Sequence, residues 1–148
     1  MIRKFHTDGG LSPPAICVIE LFEGNIINEW YRCLPKYVTS PHEAEYLGIL
    51  LTLSLCSEHD WATIKSDSRH AVFQLNGDWT TQVDDHLTYI EIIKNMIEDK
   101  KMKCSLTRVP RKKNLAGRRL ESLKRYNKKH KTCRGWKFGR RKKIFKKR

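Results

Sequence analysis

The 148 residues carry 30 Lys and Arg against 16 Asp and Glu, a formal net charge of +14, so the chain is sized for one domain with a real core and a polyanionic partner is its first expectation. The excess is segregated. Residues 1–107 hold 10 basic and 15 acidic side chains, a balance of −5, while residues 108–148 hold 20 basic and a single acid, Glu121, a balance of +19. The five cysteines, Cys17, Cys33, Cys56, Cys104 and Cys133, form no C-x-x-C pair and have no histidine at zinc-finger spacing, which argues against a disulfide framework or structural zinc and for reduced thiols in an intracellular protein. The first ten residues lack a hydrophobic signal core, and the richest apolar run, residues 46–56, is well short of the roughly 20 residues of a membrane span. No membrane partner is expected.

In chain order, residues 2–8 read as a strand running into Gly9-Gly10. Residues 15–22 and 26–34 are β-branched and aromatic runs separated by Glu23-Gly24-Asn25, a hairpin signal. Ser40-Pro41-His42-Glu43 has the form of a capping box with proline at the first helical position. It opens a buried helix with Ala44, Leu47, Leu51 and Leu55 on one face and Ile49, Leu50 and Leu53 on others. Residues 61–67 predict a strand and residues 68–75 a short helix closed by Asn76-Gly77. Thr81-x-x-Asp84 predicts the cap of a longer helix carrying Val83, Leu87, Ile90, Ile93 and Ile97, and residues 102–109 a fifth strand. After Pro110 a cationic helix with Leu115, Leu120 and Leu123 as its apolar stripe runs to about residue 127. This order predicts an α/β domain, a mixed five-stranded sheet with helices on both faces.

Three carboxylates stand out. Asp8 closes the first strand, Asp67 closes the fourth, and Glu45 lies in the first turn of the first long helix. In such sheets the site lies beyond the carboxyl ends of the strands, and three carboxylates meeting there repel unless divalent cations sit between them. Oxygen-only ligation favours Mg²⁺ or Mn²⁺ over zinc. Asp67 taken alone reads as a helix N-cap and Glu43 as the capping-box partner of Ser40. His6, His42 and His70 read as partly buried polar positions, and Cys17, Cys33, Cys56 and Cys104 as core atoms.

Thr7-Asp8-Gly9-Gly10, Glu43-Ala44-Glu45-Tyr46-Leu47-Gly48, Ser66-Asp67-Ser68, Gln74-Leu75-Asn76-Gly77-Asp78-Trp79 and Val109-Pro110-Arg111-Lys112-Lys113-Asn114 occur in an order that resembles type 1 ribonucleases H over residues 2 to about 125. The resemblance implies an RNase H-like domain over residues 1–127 and two-metal hydrolysis of a phosphodiester, with Mg²⁺ or Mn²⁺ held by Asp8, Glu45 and Asp67 and Asp8 bridging the ions. It implies an endonuclease acting on RNA in RNA–DNA hybrids, whose nucleic-acid face would include Ser40, Arg69, Arg111, Lys112, Lys113, Asn114 and Arg118. The chain also departs from the family pattern. The fourth carboxylate of the family falls on Arg118, with Glu121 one turn further on and read as solvent-facing. The asparagine pair before the catalytic helix is Pro41-His42, the glutamine often found after the third carboxylate is Arg69, and the inserted basic handle of some members is missing.

Residues 128–148 form a separate basic arm in which Trp136, Phe138 and Phe145 interleave with runs such as Arg140-Arg141-Lys142-Lys143. Such a segment cannot bury a core. Its cations neutralise phosphates and its aromatics stack on unpaired bases, so Arg134, Trp136, Lys137, Phe138, Arg140, Arg141, Lys142 and Lys143 are expected to bind nucleic acid. A second functional class fits the same features: a catalytically inactive RNA-binding component of a ribonucleoprotein particle, such as a ribosome, whose structured RNA holds the arm.

Overall fold

The computed structural model describes residues 1–77 and 83–130, the side chains of 127–130 excepted. The expectations at Asp78, Trp79 and Thr81, and for the arm after His130, including Arg134, Trp136, Lys137, Phe138 and Arg140 to Lys143, lie outside these residues. Three strands, β1 (Ile2–Gly10), β2 (Ala15–Phe22) and β3 (Asn25–Cys33), form an antiparallel meander. They are followed by α1 (Pro41–Ser54), β4 (Trp61–Ser66), α2 (Arg69–Leu75), α3 (Asp84–Asp99) and β5 (Lys103–Arg108). A 3-10 turn at Arg111–Lys113 leads into α4 (Leu115–His130). The predicted order holds, with the 3-10 turn added and the last helix reaching three residues past its expected end.

The sheet order is β3-β2-β1-β4-β5. β1 pairs with β2, and β2 with β3, in antiparallel fashion, whereas β4 lies parallel to both β1 and β5. Phe22 pairs with Asn25, so Glu23 and Gly24 alone turn the chain. Both have positive φ, 52° and 80°, the conformation whose twist matches that of the flanking strands. Each face of the sheet buries its own core. Tyr46, Ile49 and Leu53 of α1 pack with Phe5, Val18, Ala62, Ile64 and Ile93 on one side; Ala116, Leu120 and Leu123 of α4 pack with Ala15, Cys17, Ile19 and Tyr31 on the other. Because both faces of β2 are covered, its residues 15–20 are buried without alternation. Burying each large side chain of these layers contributes about 1.5–3 kcal/mol.

Several local expectations are corrected. The deepest line of α1 is Ala44, Tyr46, Gly48, Ile49, Thr52 and Leu53, not the Leu47–Leu51–Leu55 face, because a glycine and a threonine lie on the side pressed against β1. Ser40 is the N-cap residue of α1 but makes no side-chain cap bond. Val83 is the N-cap residue of α3, and Leu87 is exposed. Cys17, Cys56 and Cys104 are free thiols, whereas Cys33 is disulfide-bonded, which departs from the fully reduced set expected.

Candidate active site

The sheet register brings the first two carboxylates together. In the parallel pair, His6 faces Lys65, and the same offset carried two residues further sets Asp67 beside Asp8. Glu45 arrives from α1, which two glycines let approach β1. A Cβ on Gly9 would stand 2.3 Å from the Ala44 carbonyl oxygen, and one on Gly48 would stand 2.6 Å from Thr7 Oγ1. Only glycine fits at such a backbone crossing. Asp8, Glu45 and Asp67 each offer an oxygen, and these atoms all lie within 4.8 Å of one another.

Neighbouring polar groups keep the three carboxylates available. The cap of α2 is Ser68, whose Oγ accepts the Ala71 N–H at 3.2 Å; the capping role expected of Asp67 is therefore corrected, and its carboxylate lines the cleft. Asn114 is fully buried. Its Nδ2 donates to the Thr7 carbonyl at 3.0 Å, and its Oδ1 accepts the N–H of Ala116 at 3.1 Å and of Gly117 at 3.4 Å. Asn114 thus caps α4 and ties it to β1, which removes it from the expected nucleic-acid face. His6 Nδ1 accepts the Leu115 N–H at 3.1 Å, a buried structural role in line with its reading as a polar core position.

The electrostatics are those of carboxylates crowded away from water. Burial, then the charge of Asp67, pushes the Asp8 carboxyl up to about 7, against the opposing pull of Glu45 and Arg111. Burial followed by the charges of Asp8 and Asp67 raises Glu45 well above the usual carboxylate range, although the Gly9 backbone N–H draws it back. Glu45 Oε2 is buried with no hydrogen-bond partner among the described residues. A buried anion without a partner carries a large desolvation cost, and a divalent cation bound by these oxygens removes it. The residues present fit such an ion.

The carboxylates form one wall of a cleft of about 350 Å³ whose lining also includes Pro41, Arg111, Glu121 and Lys124. Lys124 Nζ donates to the Leu11 carbonyl at 2.6 Å, and burial lowers its pKa. Gly117 faces Asp8 closely, a Cβ there falling 3.4 Å from Asp8 Oδ2. Gly117, Glu121 and Lys124 follow one another at helical spacing and share a face of α4. Sequence reading passed over Lys124, although this spacing was a usable signal once Gly117 was set against Asp8; Glu121 is exposed, as expected, and also lines the cleft. Arg118 is exposed and lines a neighbouring groove with Glu29, Arg119, Glu121 and Arg125. Ser40, Arg69, Lys112 and Lys113 stand at the starts of α1 and α2 and in the turn after β5, the sheet edge on which the carboxylates converge; Arg69, Lys112 and Lys113 are exposed.

A family model described as reverse transcriptase-like matches residues 17–120. The chain belongs to the reverse transcriptase-like family. Comparison with curated proteins yields no match. Among solved structures, this family member is similar to RNase H1 from the halophilic archaeon Halobacterium salinarum, with 21% identity over 83% of this chain and 98% of that one and a TM-score of 0.73. It is also similar to LC11-RNase H1 in complex with an RNA/DNA hybrid, at 20% identity over 80% and 92% of the two chains with a TM-score of 0.68; that enzyme was isolated from compost by a metagenomic approach. An N-terminal RNase H domain from Mycobacterium tuberculosis matches at 19% identity over 81% and 95%, again with a TM-score of 0.68. The fold is the RNase H fold; among the described residues it is a mixed five-stranded sheet flanked by four α-helices.

Proposed function

We propose that the chain is an endoribonuclease that cleaves the RNA strand of RNA–DNA hybrids, using Mg²⁺ or Mn²⁺ held by Asp8, Glu45 and Asp67. The observation that carries this reading is the buried, unpartnered Glu45 Oε2 within a trio of carboxylates whose oxygens lie inside 4.8 Å. When bound, the divalent ions activate water and stabilise the leaving oxygen. The protein's own part is to hold three oxygen ligands at fixed spacing and to give up the protons that burial favours on Asp8 and Glu45. Arg111 and Lys124 line the same cleft and attract the substrate phosphate. Glu121 lines it too, and it serves as the fourth acid in place of the family position that falls on Arg118.

A labelled hybrid incubated with Mg²⁺ or Mn²⁺ tests the proposal: the wild type should cut the RNA strand and Asp8→Asn should not. A second reading, the catalytically inactive RNA-binding component, draws support from the arginine at 118 and the balance of +19 over residues 108–148. Tight RNA binding with no cleavage under either metal would select it.

A further inference from the structure

Cys33 ends β3 at the same end of the sheet as the carboxylates. It pairs with Ala15, which pairs with Gly10, and this row lies two residues beyond the one that joins Asp8, Cys17 and Tyr31. Cys33 packs against the cluster that α4 covers, beside Tyr31, Leu120 and Leu123. It is disulfide-bonded, whereas Cys17, Cys56 and Cys104 stand outside any disulfide. Within the chain that leaves Cys133, three residues after the end of α4 at His130. The lengths agree with such a pairing. Lys124 of α4 donates to the carbonyl of Leu11, the residue after Gly10, and two strand spacings of about 4.8 Å separate Gly10 from Cys33. From Lys124 to His130 the helix advances about 9 Å, and three further residues span up to about 10 Å when extended. The chain is long enough to come back to within the roughly 4.4–6.8 Å between Cα atoms that a disulfide requires.

We propose that Cys33 and Cys133 form a redox-labile disulfide that anchors the basic arm at the cleft end of the sheet, so that the chain's affinity for single-stranded RNA follows its thiol state. Cys33 is half-buried, unlike Cys17 and Cys56, and burial pushes the Cys104 thiol up to about 11, which leaves it a poor competitor. The bond forms by exchange: one protein thiolate attacks a small disulfide, and the other displaces the small thiol from the mixed disulfide. Two protein thiols and one small disulfide thereby become one protein disulfide and two small thiols, and a dithiol reverses the reaction. With position 133 fixed, the nine cations of residues 134–148 begin beside the cleft. Confining the arm there lowers the ordering cost of binding and raises its effective concentration at RNA held in the cleft.

The inference rests on the arm's affinity for RNA and not on cleavage, so its test is run in EDTA and a failed cleavage assay leaves it standing. The full chain is oxidised with glutathione disulfide or reduced with dithiothreitol, unfolded, and its thiols are alkylated. Three thiols should react after oxidation and five after reduction, a Cys33–Cys133 cross-linked peptide should be found by mass spectrometry, and the oxidised chain should run as a monomer on a non-reducing gel. The folded oxidised protein should bind labelled single-stranded RNA at least about threefold more tightly than the reduced one. Cys33→Ser and Cys133→Ser should bind like the reduced wild type in either state. Position 133 lies beyond α4, so that variant is independent of the packing around Cys33, and circular dichroism accompanies both. Five reactive thiols after oxidation, a disulfide-linked dimer in place of the internal cross-link, or a wild-type RNA affinity that reduction leaves unchanged would overturn the proposal.

Discussion

A Cβ placed on Gly9 would lie 2.3 Å from the carbonyl oxygen of Ala44, while one placed on the adjacent Gly10 would meet nothing closer than the tip of Lys124, at 3.2 Å. The first contact is backbone against backbone and cannot relax without moving α1 away from β1, which separates Glu45 from Asp8. The second is the far end of a flexible side chain. Gly9→Ala should therefore destabilise the fold by about 2 kcal/mol or more and abolish divalent-metal binding, with Gly10→Ala close to wild type in both. Chemical denaturation and metal titration of the two variants side by side check this; equal behaviour would contradict the close approach as the basis of the site.

The raised Asp8 carboxyl gives the metal-free protein an unusual pH dependence. Its ordinary value is near 3.9 in an unfolded chain and about 7 in the folded one. Between those values the folded state holds a proton that the unfolded state lacks, so stability falls as pH rises from about 4 to about 7 and levels off above. Asp8→Asn removes this contribution. The variant should gain on the wild type across that window by an amount on the order of a few kcal/mol, and saturating Mg²⁺ should close the gap by stabilising the ionised wild-type site. Melting temperatures across the pH range, with and without metal, decide it. A wild type and variant that melt in parallel at every pH would exclude the coupling of Asp8 to its neighbours.

The strands, their order and the three carboxylates were legible in the sequence because each leaves a local mark: β-branched runs, the Gly24 turn, and acids at strand ends. What sequence misplaced depends on partners from elsewhere in the chain. Asn114 looks like a surface residue among lysines, yet its amide is spent on the Thr7 carbonyl 107 residues away. Asp67 and Ser68 are both good caps by type, and only the fold gives the bond to Ser68. The buried face of α1 eluded a periodicity argument because Gly48 and Thr52 lie on it, and hydropathy does not score either as core.

If the fourth carboxylate of type 1 ribonucleases H falls on Arg118, as the sequence resemblance implies, two pictures of the cleft follow. Arg118 lines the neighbouring groove, whereas Glu121 lines both it and the cleft. If Glu121 is the fourth acid, Glu121→Gln should lower hybrid cleavage about 10–100-fold with little change in stability, since the side chain is exposed. On the same alignment, Arg118→Asp should raise activity. Cleavage rates of both variants at several Mg²⁺ concentrations measure the effect. Full activity in Glu121→Gln would rule that residue out, and no gain in Arg118→Asp would mean that the position has left the site.

The last prediction concerns the segregation of charge, in which residues 108–148 hold 20 of the 30 basic side chains. Ten of these follow His130: Lys131, Arg134, Lys137, Arg140, Arg141, Lys142, Lys143, Lys146, Lys147 and Arg148. If about half of them contact phosphates, log affinity should fall against log salt with a slope of about −4 to −5. Truncation after His130 retains all of α4 and both cores, so the shortened chain, made together with Cys33→Ser because the cut removes Cys133, should keep its fold and carboxylate site while its salt slope flattens and its affinity drops. Trp136→Ala should weaken binding to unpaired RNA by about 1–3 kcal/mol, and duplex DNA much less, because stacking requires an exposed base face. Salt titrations of the full-length and truncated proteins on single-stranded RNA, hybrid and duplex DNA measure all of this together. Equal slopes for the two proteins on every ligand would move the nucleic-acid contact back to the folded domain, to Arg111, Lys112, Lys113 and the cleft beside them.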